Sequence, residues 1–451
     1  MKESMKMQIQ LSDHFTIIKV IRFTFPTIAM MIFTSVYSVV DGFFVSNFAG
    51  KTPFAAINLI MPVLVILGTV GFIFGTGGTA LVAKTYGEGE REKANRLFSL
   101  FVYIAFAVGV ILSVTGQLFI RPVASLLGAE DDLLYNCVLY GRIILISLPF
   151  FILQIMFQNF FVAAEKPQLG FIITVSSGVA NMILDTVLVL SLPQEYKLVG
   201  AAIATATAEI IGGAAPLLYF CRKNSSILRL GKTYFDGKAV RQACINGSSE
   251  FMSSISMSIV GILYNLQLMK YAGENGVAAY GVMMYVSMIF CAVFVGYSIG
   301  ISPAISYNDG AKNYDELKGL FRKSLTLIGL FSVCMIACAE IFARPLSSFF
   351  VGYDDELFNL TVSGFRVFAI SFGFMGFAVF SSDFFTALND GLTSALISFL
   401  RTLVFESLSI LILPLTFGVE GIWLSVVMAE LMAVVLGTLF LVIRRNKYHY
   451  W

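Results

Sequence analysis

Apolar residues gather along this chain into twelve long blocks separated by short polar connections. The blocks centre approximately in 22–46, 54–83, 97–119, 138–162, 169–191, 199–220, 243–271, 277–305, 320–342, 361–386, 392–413 and 421–443. A hydrocarbon layer about 30 Å thick takes roughly 20 helical residues to cross. The pattern therefore predicts an all-α integral membrane protein with twelve transmembrane helices. The longest polar connection, about 221–241, separates two sets of six. It predicts an N-lobe over 1–220, a cytoplasmic linker over 221–241 and a C-lobe over 242–451. Residues 11–25 read as an amphipathic interfacial lead-in, with Ser12 or Asp13 as its helix cap. The first apolar block is too long for a signal-peptide core and no small-residue cleavage site follows it, so it is expected to stay in the membrane.

The two sets of six are one design written twice. AKTYGEGEREKANRLF (83–98) recurs as SYNDGAKNYDELKGLF (306–321), with Gly87 on Gly310 and Leu97-Phe98 on Leu320-Phe321, each 223 positions later. The same shift carries Ala49-Gly50 onto Ala272-Gly273, Arg121-Pro122 onto Arg344-Pro345 and Asp131-Asp132 onto Asp354-Asp355. Further on the shift becomes 221 and joins Pro193, Gly200 and Glu209 to Pro414, Gly421 and Glu430. Six helices return the chain to the side it started from, so the repeats are parallel. Internal duplication marks secondary transporters, which set their sites where the repeats meet.

Composition narrows the function. The 451 residues are 57% hydrophobic and 13% charged, against about a quarter charged for a soluble domain, so the solvent of this chain is lipid. A formal net charge of +2 without a basic block gives no sign of nucleic-acid binding. Counted along the loops, 23 of the 30 Lys and Arg fall on the side of the N-terminus and 7 on the other, which predicts that both termini are cytoplasmic. His14 and His449 lie near the chain ends, so no histidine chemistry is available at membrane depth. The six cysteines are scattered and read as reduced thiols. Cys334 and Cys338 share a helix face, but no further ligand completes a metal site. Gly75-Thr76-Gly77-Gly78 lacks the lysine of a phosphate loop and reads as close helix packing. With no ATP-binding motif, no HExxH and no Gly-x-Gly-Asp, the chain is expected not to be an enzyme. Pro26, Pro62, Pro149, Pro193, Pro303 and Pro414 are candidate kinks.

Acidic residues at membrane depth are the candidate chemistry, because each costs about 2.5–3.5 kcal/mol to insert and so faces a cavity or a partner. Asp41 lies in the outer third of the first helix. Asn181 and Asp185 stand one turn apart on the fifth. Glu250 lies in the inner third of the seventh and Asp383 towards the inner end of the tenth. Glu209, Glu406 and Glu430 fall near the middle of the sixth, eleventh and twelfth, with Arg401 the main cation available to pair with an acid. Such carboxylates suit a proton-coupled pump, and with Asn and Thr oxygens they suit Na⁺ equally. The plain alternative is hydrogen bonding that glues helices. Glu209 and Glu430, at matched repeat positions, fit that role best. The 43 Phe, 18 Tyr and 18 Met offer ring faces and thioethers for an adaptable pocket, although most serve packing or face lipid.

Two parallel six-helix repeats, an Asp within VVDGFFVSNFAG and the Asn181/Asp185 pair together resemble the multidrug and toxic compound extrusion (MATE) transporters, closest in character to their bacterial MepA-like branch. The resemblance covers essentially the whole chain. It implies a two-lobed, V-shaped antiporter that expels lipophilic organic cations by alternating access against H⁺ or Na⁺, in the bacterial plasma (inner) membrane, as a monomer and without a cofactor. It further implies an N-lobe cation site at Asp41, Asn181, Asp185 and Thr205, with Thr207 a weaker fit. A C-lobe site falls at Glu250 and Asp383, and Na⁺ would sit at either set. The coupling ion and the lobe that couples stay open. A flippase for a lipid-linked or amphiphilic metabolite is the alternative in the same superfamily, and the acidic interior speaks against it.

Overall fold

A computed structural model of the chain describes residues 9–44, 48, 50–352 and 354–451, with side chains for all of these except 39, 41–44, 51 and 349. Among the described residues there are helices and turns and no strands. The helices are α1 (Ile17–Phe44), α2 (Lys51–Phe72, running through a π-helical turn, Ile73–Gly78, into Thr79–Gly87), α3 (Arg91–Leu126), α4 (Asp131–Ala163), α5 (Pro167–Ser191) and α6 (Lys197–Cys221). A 74-residue helical stretch follows, Gly237–Gly310, broken at Gly273 by a φ of +61°. It makes α7 (237–272) and α8 (274–310). Then come α9 (Tyr314–Val351), α10 (Asp355–Ala369 and Phe372–Ala387, bent by 48°), α11 (Gly391–Phe417, with a π-helical turn at Leu400–Phe405) and α12 (Val419–Tyr448). Each of the twelve apolar blocks overlaps one of these helices, and their length and hydropathy suit them to cross a membrane.

Local chemistry explains the breaks. Gly50 (φ +105°) and Gly273 (φ +61°), matched by the repeat, both hold left-handed backbone that side chains disfavour. Asp354 caps α10 by accepting from the amides of Glu356 and Leu357 at 3.0 Å, and Asn313 caps α9. The cap of α1 differs from expectation. The helix starts at Ile17 and Thr16 Oγ1 accepts from the Lys19 amide at 3.3 Å, while Asp13 pairs with the Lys19 ammonium at 3.4 Å. Ser12 and Asp13 lie too far ahead of the first turn to cap it. Pro193 falls in the α5–α6 connection, where its missing N–H costs nothing.

The chain divides into two compact units, Met1–Leu11 with Phe33–Gly247 and Ser12–Ile32 with Ser248–Trp451. Thus α1 and α7 are each shared between units. In the first unit the later half of α4 is almost wholly buried, and Phe98 and Phe220 close on its Phe157 and Phe160. In the second, Trp423, Phe368, Phe372 and Ile410 form the corresponding centre. The glycine run in α2 packs helices. A Cβ on Gly77 would stand 2.1 Å from the Ala243 carbonyl oxygen, and one on Gly247 would stand 2.2 Å from that of Ile73. The connection after α6 is laid along α3. The Arg229 and Gly231 amides donate to Asn95 Oδ1 (2.7 Å) and Ser99 Oγ (3.0 Å), and Thr233 Oγ1 donates to the Arg96 carbonyl (2.8 Å).

Candidate functional site

In the first unit, Ser177, Asn181 and Asp185 stand one turn apart along α5, so they share a face. All three are buried, Asp185 completely. Ser177 Oγ donates to the Ala208 carbonyl at 2.6 Å, and Leu188 packs beside Gly200 further along. This antiparallel register sets Asn181 level with the stretch of α6 that carries Thr205, which is half-buried. Thr207 spends its hydroxyl on the Ile203 carbonyl of its own helix, at 2.7 Å. Asn181 Oδ1 is buried and accepts no hydrogen bond among the described residues.

A third helix closes on this face. Gly178 lies so near α1 that a Cβ there would stand 2.5 Å from Phe33 Cε1 and 3.2 Å from Tyr37 Cδ1. Asp41 follows Tyr37 by one turn on the same face of α1. Its side chain lies outside the described residues. Sequence spacing placed Asn181 and Asp185 on one face of α5, as found here, while the link to α1 came from the family resemblance. Glu209 on α6 accepts from Ser147 Oγ of α4 at 2.5 Å, a helix-to-helix bond of the gluing kind.

The second unit is built differently. Arg401, on the π-helical turn of α11, holds Glu430 of α12 through Nε (3.1 and 2.9 Å to the two oxygens) and a terminal nitrogen (2.6 Å). Both side chains are largely buried. Glu250, Asp383 and Glu406 lie within the electrostatic reach of the same guanidinium, and Glu250 and Asp383 within reach of each other. The two acids expected together are therefore brought together. Ser298 stands close to Asp383 without reaching hydrogen-bond geometry. Beside them Ser382 bonds Ser394 (2.9 Å) and Ser398 (2.7 Å), and Thr386 bonds Ser394 (2.7 Å), sewing α10 to α11. Composition hid this ladder, although hydroxyls four residues apart on adjacent helices were its signal. Among the described residues no group of three or more His, Cys, Asp or Glu is placed to hold a metal ion.

Three carboxylates outside the apolar stretches escaped the sequence reading. Leu11 donates its amide to Glu165 Oε1 (2.8 Å), and Phe15 donates its amide to Glu316 Oε1 (2.9 Å), with His14 Nδ1 at 2.6 Å from Glu316 Oε2. Beyond α10, Asp390 meets the Tyr448 hydroxyl (2.9 Å), Lys447 (3.5 Å) and Arg444 (3.7 Å). Burial opposes its charge, but bonds from Tyr448 and Thr393 and the two cations outweigh it and hold the carboxyl below its ordinary value.

The chain matches the MatE family over residues 26–187 and 251–410. It is 26% identical over 427 residues to the multidrug export protein MepA of Staphylococcus haemolyticus (strain JCSC1435), covering 94% of this chain and 93% of the relative. To the MepA of Staphylococcus aureus (strain MRSA252) it is 25% identical over 428 residues, with the same coverage. Among solved structures, an outward-facing multidrug resistance MATE family transporter of the MOP superfamily is similar in fold, with a TM-score of 0.91 and 20% identity over 99% of both chains.

Proposed function

This chain belongs to the MatE family, and on that premise we propose that it is a secondary active multidrug exporter of the bacterial plasma membrane, expelling lipophilic organic cations against inward H⁺ or Na⁺. Both termini face the cytoplasm in this reading, following the 23 to 7 bias of Lys and Arg. Asp41, Asn181, Asp185 and Thr205 take the coupling ion, and Glu250 with Asp383 form a second acidic site. The observation that carries the proposal is Asp185, fully buried at membrane depth one turn from an amide oxygen with no donor among the described residues.

Exchange follows from competition for one negative charge. An ionised Asp185 attracts an organic cation. Once the same carboxylate takes up H⁺ or Na⁺, that attraction is lost and the drug leaves. Ion and drug therefore disfavour each other's binding, and alternating access turns that negative coupling into antiport.

The test is growth of an efflux-deficient bacterium on ethidium with the parent chain, Asp41→Asn or Asp185→Asn. Resistance is expected with the parent and its loss in each variant at normal membrane levels. Unchanged resistance in both variants would refute the assignment. Vesicles loaded with ethidium and given a pH jump or a sodium jump then identify the ion.

A further inference from the structure

The duplication leaves two equivalent corners at the ends of α3 and α9, and their charges differ. In the second unit Glu340 and Arg344 stand one turn apart on α9, and Glu340 accepts an ion pair from Arg366 of α10 at 3.4 Å. Shifted back by 223, Glu340 becomes Gln117 and Arg344 becomes Arg121, while Arg366 stands one position past the equivalent of Arg142. The carboxylate has gone. Gln117 Nε2 donates instead to the backbone carbonyl of Arg142, at 2.7 Å. Arg121 and Arg142 are exposed, and neither has an acidic partner among the described residues.

We propose that this corner of α3 and α4 binds the phosphate of an anionic phospholipid, with the acyl chains lying along the apolar helix faces below it. Depth supports a lipid. At 1.5 Å per residue, Arg121 lies about 37 Å along α3 from Arg96, and Arg142 about 31 Å along α4 from its last residue, Ala163. Both arginines thus reach the plane where lipid phosphates sit, at the end of the bundle away from the termini. The flank of the α3–α4 pair that carries them also carries, towards the membrane centre, the exposed Val114 (58%) and Ile146 (65%). Two guanidiniums above bare aliphatic side chains match a phosphate above acyl chains, and Gln117 holds Arg142 in place without neutralising it.

The experiment uses the full chain in nanodiscs of phosphatidylcholine with added phosphatidylglycerol, released into native mass spectrometry to count retained lipids. The parent is expected to keep phosphatidylglycerol in preference to phosphatidylcholine. Arg121→Gln and Arg142→Gln should each weaken that retention about fivefold, the equivalent of about 1 kcal/mol per cation. Gln117→Glu, which restores the pairing of the other repeat, should weaken it likewise. Glu340→Gln should add a second retained phosphatidylglycerol, a gain that misfolding does not imitate. Equal retention of the two lipids, indifference to Gln117→Glu, or no gain in Glu340→Gln would each overturn the proposal. So would displacement of the lipid by inorganic phosphate alone, which would make the corner a simple anion site.

Discussion

The matched glutamates of α6 and α12 occupy one position in the duplicated design and meet opposite surroundings. Glu209 accepts from a serine hydroxyl, whereas Glu430 is gripped by one edge of a guanidinium, through Nε and a terminal nitrogen. The difference extends around them. On α5 the acid Asp185 lies among Ser177 and Asn181, and no Lys or Arg occurs between Pro167 and Ser191. In the second unit three further acids share the field of Arg401. Duplication therefore copied the helices and left the electrostatics free to diverge. The first unit carries Asp185 on a helix whose other polar groups are neutral, and the second holds a resident cation.

Removing that cation should give the largest effect. Arg401→Ala leaves Glu430 buried beside three other acids and is expected to cost about 3–5 kcal/mol, read as a lowered melting temperature of the purified protein. The double variant Arg401→Leu with Glu430→Leu should recover most of it, because a buried ion pair replaced by apolar side chains is often close to neutral. If the single variant melts like the parent, the second interior is not organised by its arginine. Asp185→Asn should behave in the opposite way, with ethidium efflux from vesicles falling at least tenfold, equivalent to about 1.4 kcal/mol, and melting unchanged. A variant that loses stability and keeps transport would reverse the roles given to the two units.

The repeats and the twelve helices were legible in the sequence because each rests on periodicity or spacing, whereas Glu250 and Asp383 were set together by the family resemblance alone. The partner of Arg401 was not legible. Several acids lay at suitable depth, and the choice of Glu430 depends on a π-helical turn at 400–405 that no propensity announces. The cap of α1 was misplaced for a related reason. Ser12, Asp13 and Thr16 are all good caps, and contacts of the preceding strap with Glu165 and Glu316 decide where the helix begins. The Asp390 cluster was invisible because its members lie 54 to 58 positions apart along the chain.

Smaller tests sharpen the contrast further. Ser147→Ala removes the donor to Glu209 and should cost about 1 kcal/mol, well below the loss at Arg401. Equal losses would mean that the two glutamates are held alike. Smallest is Asp390→Asn, expected to cost about 0.5–1 kcal/mol at neutral pH, since its cationic partners are more than a third exposed. Because the folded carboxyl lies below its ordinary value of about 3.9, its contribution is complete above that pH and fades as pH falls through the folded value. The parent and Asp390→Asn should therefore converge in melting temperature on strong acidification and separate at neutral pH.

The segment between the two halves is pinned to α3 by Asn95, Ser99 and Arg96 and is a seam, not a slack tether. A fluorophore placed there would travel with the first unit and report its movement alone. Cys221, exposed where that seam begins, offers a native thiol for such a label once Cys244 and Cys334, also exposed, are replaced by serine, and a second dye on the other unit then measures motion between the two in single molecules.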